Sequence, residues 1–98
     1  MNRQRLEEAE VWSRLGELPG WERVQDGRAI FKSFEFPNFN AAFGFMARTA
    51  MQAEKLNHHP EWTNSGGRVD VTLSTHTAGG LTPLDFDLAT FMNEAEAR

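Results

Sequence analysis

Apolar residues change their spacing several times along the chain, and each change marks an element. Between residues 5 and 15, Leu6, Val11, Trp12 and Leu15 lean to one side, while Glu7, Glu8, Glu10 and Arg14 take the other. That is the pattern of an amphipathic helix, with Trp12 as a core or interface anchor, stopped by Gly16 and then Pro19-Gly20. Two extended runs follow, residues 21–25 and 28–36, joined by Asp26-Gly27, a type I′ hairpin signal. In the second run Ile30, Phe34 and Phe36 share a face opposite Phe31, Ser33 and Glu35. Pro37 ends it and Asn38 is a fitting N-cap. From Phe39 the period becomes helical, with Ala42, Phe43, Met46, Ala50, Ala53 and Leu56 predicted to lie on a sheet as packing residues. Gly44 inside this helix suggests a close approach to the sheet.

The long helix must stop before Pro60, whose ring disfavours helical geometry at His59. Residues 61–64 and 68–75 read as a second hairpin turning at Ser65-Gly66-Gly67. Val69, Val71 and Leu73 point inward there, and His76 is in phase with the opposite face of Arg68, Asp70, Thr72 and Ser74. Thr82-Pro83-Leu84-Asp85 then opens a last helix as N-cap, first helical position and capping-box acid, with Leu84, Leu88, Phe91 and Ala95 inward. The two hairpin-then-helix units, residues 21–56 and 61–97, suggest a doubled ββα plan.

Composition narrows the functional classes. Ninety-eight residues with 40% apolar and 24% charged side chains make one globular domain, residues 1–98. Cysteine is absent, so thiolate nucleophiles, disulfides and zinc–cysteine sites are excluded, in keeping with a reducing cytoplasm. A net charge of −4 without a basic cluster argues against nucleic acid as a partner. No apolar run is long enough for a signal peptide or a membrane span.

All three histidines fall in one window: His58 and His59 before Pro60, and His76 one hairpin later. Histidine titrates near neutrality, at about 6.5 when unperturbed, so three together suit proton transfer. Three readings stand side by side. The imidazoles can cap and pack a helix C-terminus. They can ligate a metal, with Glu54, His58 and His76 as the donor set. Or they can serve as general acid and base, with Glu54, four residues before His58, holding its ring. Ser74 lies two residues from His76 without a nucleophile's motif around it, so the third reading points to dehydration, isomerisation or tautomerisation without a covalent intermediate. Trp21 and Trp62 are either core residues or flat walls for a planar ligand.

The motif Glu54-x-x-x-His58-His59-Pro60-x-Trp62, then Leu73-Ser74-Thr75-His76, Gly80-Leu81-Thr82 and Asp85, closely resembles the pterin-4a-carbinolamine dehydratases. The likeness also takes in Gly20-Trp21, Ala29-Ile30-Phe31-Lys32 and the run from Phe39 to Met46. It implies an α+β fold, a four-stranded antiparallel sheet of two hairpins with helices on one face in the order α-ββα-ββα, and a homodimer or homotetramer. It implies a cytoplasmic enzyme, without metal or organic cofactor, that dehydrates 4a-hydroxytetrahydropterin to quinonoid dihydropterin for reuse by aromatic amino-acid hydroxylases. On this likeness His58 and His76 are the acid–base pair and His59 binds the pterin or shares the proton work. Asn57, Pro60, Thr75 and Thr77 line the pocket, and Asp85 matches an acidic position near the site. Some members of the family double as dimerisation cofactors for a transcription factor, so an idle pterin-binding or interaction module is the alternative. The chain departs from the family pattern at Gly66-Gly67, which predicts a looser hairpin turn, and at Leu84, which predicts altered contacts at the pocket mouth.

Overall fold

A computed structural model describes residues 2–97 in the order α1 (Glu8–Leu15), β1 (Glu22–Val24), β2 (Ala29–Glu35), α2 (Phe39–Leu56), β3 (Glu61–Ser65), β4 (Arg68–Leu73), a 3₁₀ turn (His76–Ala78) and α3 (Pro83–Glu96). The four strands form one antiparallel sheet in the order β1-β2-β4-β3, so the two hairpins meet through β2 and β4. Ile30 faces Leu73 and Phe34 faces Val69 in that central pair. With Val71 they form the buried face of the sheet, which packs with Phe45 and Ala53 of α2 and with Leu88 and Met92 of α3. Among the described residues no helix is long and apolar enough to cross a membrane.

Local chemistry explains the element ends. The Asn38 side chain accepts from Ala41 N–H at 2.8 Å, an N-cap that satisfies one orphan donor of α2. Thr82, Pro83 and Asp85 open α3 as expected, with the Thr82 N–H donating to Asp85 Oδ2 at 2.9 Å. At its other end α2 stops three residues short of Pro60. Asn57 sits in the left-handed region at φ 51°, and the His58 N–H reaches back to the Ala53 carbonyl at 3.0 Å. Together with the Asn57 N–H bond to Glu54 this is a Schellman closure, with asparagine in place of the usual glycine. The stop therefore belongs to Asn57 and not to the proline.

Several expectations are corrected. The first helix begins at Glu8, not residue 5, and Trp12 is 55% exposed, its ring stacked under the Arg23 guanidinium. In the first hairpin the positive-φ pair falls on Gln25 and Asp26, one residue before Asp26-Gly27, and Gly27 is positive as well. The buried stripe of α2 is Ala42, Phe45, Thr49 and Ala53; Phe39 and Phe43 face outward at 55% and 56% exposure, and Ala50 is exposed too. The space a Cβ at Gly44 would enter is bounded by the Arg48 side chain and not by the sheet. The second hairpin turns on Gly66-Gly67 alone, because Ser65 already pairs with Arg68. Gly67 lies so close to β2 that a Cβ there would come within 2.3 Å of the Phe36 carbonyl oxygen, while its own carbonyl accepts from Phe36 N–H at 2.7 Å. That clasp replaces the expected loose turn. β4 ends at Leu73, so His76 opens a 3₁₀ turn and does not continue the strand. Leu84 is buried and does not border the cavity that the histidines line.

Candidate active site

The exit of α2 and the end of β4 converge on a cavity of about 210 Å³. His58, His59 and Asn57 border it from the helix exit, and Ser74, Thr75, His76 and Thr77 from the strand end. The three imidazoles that sequence spacing separates by up to 18 positions thus share one wall system.

His58 is the anchored member. The Schellman turn swings it off the α2 face and into the interior, where it is 6% exposed. Its Nε2 lies 2.6 Å from Oδ1 of Asp85, which is fully buried. The other oxygen, Oδ2, accepts from the Thr75 hydroxyl at 2.8 Å and from the Thr82 N–H. Thr75 has spent its only hydrogen on Asp85, so the 2.8 Å contact between the two threonine hydroxyls is a bond donated by Thr82. As a carboxylate Asp85 is acceptor-only, which places a proton on His58 Nε2 and leaves Nδ1 as the nitrogen that can take or give one. Asp85 therefore caps α3 and fixes the tautomer of His58 with the same side chain.

His59 and His76 are more open, with side chains 62% and 74% exposed. Each has a carboxylate neighbour: Glu54 Oε1 at 3.2 Å from His59 Nε2, and Glu61 Oε1 at 3.4 Å from His76 Nε2. Ser74 Oγ also lies 3.5 Å from His76 Nε2. The expected pairing of Glu54 with His58 is thus replaced: Glu54 serves His59, and Asp85 serves His58. The donor set Glu54, His58 and His76 is likewise not assembled, and among the described residues no group of three or more such side chains could hold a metal ion.

Other expectations part from the cavity. Trp21 is a core residue, with its Nε1 bonded to Asn93 and its ring edge-on to Phe34. Trp62 is half-buried in β3 and borders a different, larger depression of about 440 Å³ on the open face of the sheet, with Phe31, Glu61 and Asp70. Hydrogen bonds from Arg68 and then Ser33 hold the Asp70 carboxyl below its usual range. Pro60 does not border the histidine cavity, and Asp85 stands behind it. Two contributors were not among the sequence candidates: Glu61, whose role depends on a tertiary neighbour, and Arg3, which also borders the cavity. No local spacing signals either, whereas Thr82, expected as the N-cap of α3, also meets Thr75.

Comparison with known proteins agrees on one family. The family model described as pterin 4 alpha carbinolamine dehydratase matches residues 4–95. A protein of Chelativorans sp. (strain BNC1), provisionally named pterin-4-alpha-carbinolamine dehydratase, is 56% identical over the whole of both chains. One of the same provisional name from Rhizobium johnstonii is 57% identical over 100% of this chain and 97% of its own. A crystal structure from Brucella melitensis, described as a transcriptional coactivator/pterin dehydratase, superposes with a TM-score of 0.91 at 50% identity, covering 95% of this chain and 99% of that one. A pterin dehydratase-like protein described as a RuBisCO assembly factor of the alpha-carboxysome shares the fold at TM-score 0.68 and 19% identity, over 79% of this chain and 89% of that one.

Proposed function

Since this chain belongs to the pterin 4 alpha carbinolamine dehydratase family, whose relatives are named for a hydro-lyase activity, we propose that its histidines dehydrate 4a-hydroxytetrahydropterin by general acid–base catalysis. The observation that supports this most is the convergence of three imidazoles on one small, open cavity, one of them fixed by a buried carboxylate. A site somewhat smaller than the ~300–1,000 Å³ of drug-sized pockets suits a ligand of two fused rings.

In this reading one imidazolium of the His58/His76 pair donates a proton to the 4a-hydroxyl. The C4a–O bond breaks, water leaves, and the electron pair of a ring nitrogen closes the new double bond. The other imidazole takes the proton that the ring nitrogen then loses, giving quinonoid dihydropterin plus one water. His59 and Asn57 hold the ring, while Ser74 and Thr77 supply hydroxyls at the same wall. Asp85 and Thr75 act through His58, and Glu54 through His59. The reaction is cytoplasmic and returns pterin to aromatic amino-acid hydroxylases, as the family resemblance implies. A homo-oligomer belongs to the same proposal, since Phe39, Phe43 and Met51 leave an apolar row of α2 exposed.

The test is the dehydration rate of chemically generated 4a-hydroxytetrahydropterin with the purified protein. His58→Ala and His76→Ala should each slow it by about 10²-fold or more, the contribution of a positioned proton-transfer group. If the double variant kept the parent rate, the acid–base assignment would fall. A parent protein that bound pterin without accelerating dehydration would instead favour an interaction module, the reading suggested by the coactivator description of the Brucella relative.

A further inference from the structure

We infer that Arg3 is a substrate-binding residue that grips the ring carbonyl next to the reacting carbon and so sets the register of the heterocycle in the histidine cavity; this rests on the pterin reading above. The segment ahead of α1 is strapped across the site at two points. The Leu6 N–H donates to the Leu81 carbonyl at 2.8 Å, and Arg3 Nη2 donates to the Asn57 carbonyl at 2.6 Å. Between these points Arg5 lies over Gly80, where a Cβ would come within 3.1 Å of its Nε. The strap thus joins the two walls that carry the imidazoles, the α2 exit and the connection from β4 to α3.

Arg3 stands on the cavity side of this strap, bordering the same space as His58, His59 and His76. The bond to Asn57 fixes the guanidinium by one of its five N–H donors. The remaining donors make no hydrogen bond or ion pair among the described residues. An arginine held in this way presents a fork suited to an oxygen acceptor in the plane of a ring. In 4a-hydroxytetrahydropterin the acceptor adjacent to the 4a carbon is the 4-oxo group. The other donors and acceptors at the wall are imidazoles, hydroxyls and an amide, so among the described residues Arg3 supplies the only permanent positive charge bordering the cavity. Binding the carbonyl there turns the 4a-hydroxyl toward the imidazoles.

The inference predicts discrimination by the atom at position 4. Affinities of 6-methylpterin, which has the oxo group, and of 6-methyl-2,4-diaminopteridine, which presents an amino donor instead, are measured by fluorescence titration on the parent and on Arg3→Ala. The parent should prefer the oxo ligand, and Arg3→Ala should reduce that preference by about tenfold or more, the size of a hydrogen bond from a charged donor. Its circular dichroism should match the parent's, because Arg3 is exposed and outside every element. A preference unchanged by the substitution, or an equal loss for both ligands, would overturn the assignment while leaving the dehydratase reading intact. A parent that bound neither pteridine and did not accelerate dehydration would overturn the pterin reading itself.

Discussion

Asp85 carries two obligations that cannot be met separately. Its carboxylate receives three donors, from His58, Thr75 and the Thr82 main chain. Asp85→Asn keeps the size but replaces one acceptor by an NH₂ group, which must face at least one of those donors. The stranded pair should cost about 1–3 kcal/mol, lowering the thermal midpoint by at least about 4 °C in a domain of this size. If the amide NH₂ turns to His58, the imidazole must accept through Nε2 and the proton moves to Nδ1. The dehydration rate should then fall by about tenfold or more, part of the usual contribution of general acid–base catalysis. Thermal unfolding and single-turnover rates on the same preparation check both halves. In the sequence the histidines were recognisable as a site because three of them fall in one window, and the acidic position was recognisable by resemblance. The wiring was not. Glu54 precedes His58 by the helical interval, yet the left-handed Asn57 rotates His58 away from that face. Its true partner is 27 positions downstream and meets it only when α3 docks.

At the scale of elements, caps and strand alternation were readable because both are local. Asn38, Thr82 and Asp85 act within three residues of themselves, and Ile30, Phe34, Val69, Val71 and Leu73 alternate as strands with one buried face should. The phase of α2 was not readable. Apolar residues occupy so much of its circumference that hydrophobicity alone does not single out the face that meets the sheet. Its buried row includes Thr49 and leaves out Phe39 and Phe43. The second hairpin makes a related point about glycine. Gly66 adopts φ 56° in open space, and Gly67 abuts the Phe36 carbonyl. Gly66→Ala should cost about 1–2 kcal/mol, the usual penalty of the left-handed region. Gly67→Ala should cost more, because backbone must move to admit the methyl group. Urea unfolding of the two variants should rank them in that order; equal losses would mean that the clasp between turn and β2 is slack.

For the whole molecule, one sheet face is closed by α2 and α3 and the other is open, and the exposed row of α2 lies outside both arrangements. A solitary chain of 11.1 kDa that exposes two phenylalanines and a methionine along one helix gains from covering them. Sedimentation of the parent should therefore give a mass above that of one chain. Phe43→Glu, which puts a charge in the middle of the row, should return it to the single-chain value with the sheet intact. A parent that sediments as one chain would refute the oligomer. Dehydration per chain should survive Phe43→Glu, since Phe43 does not border the histidine cavity.

The shared carboxylate of Asp85 has one more consequence, for anyone who wants an inert version of this molecule. Disarming the chemistry at position 85 would also loosen the first turn of α3, so any phenotype would mix lost turnover with lost abundance. His76, exposed and outside every core contact, offers the cleaner off-switch: silence without collapse.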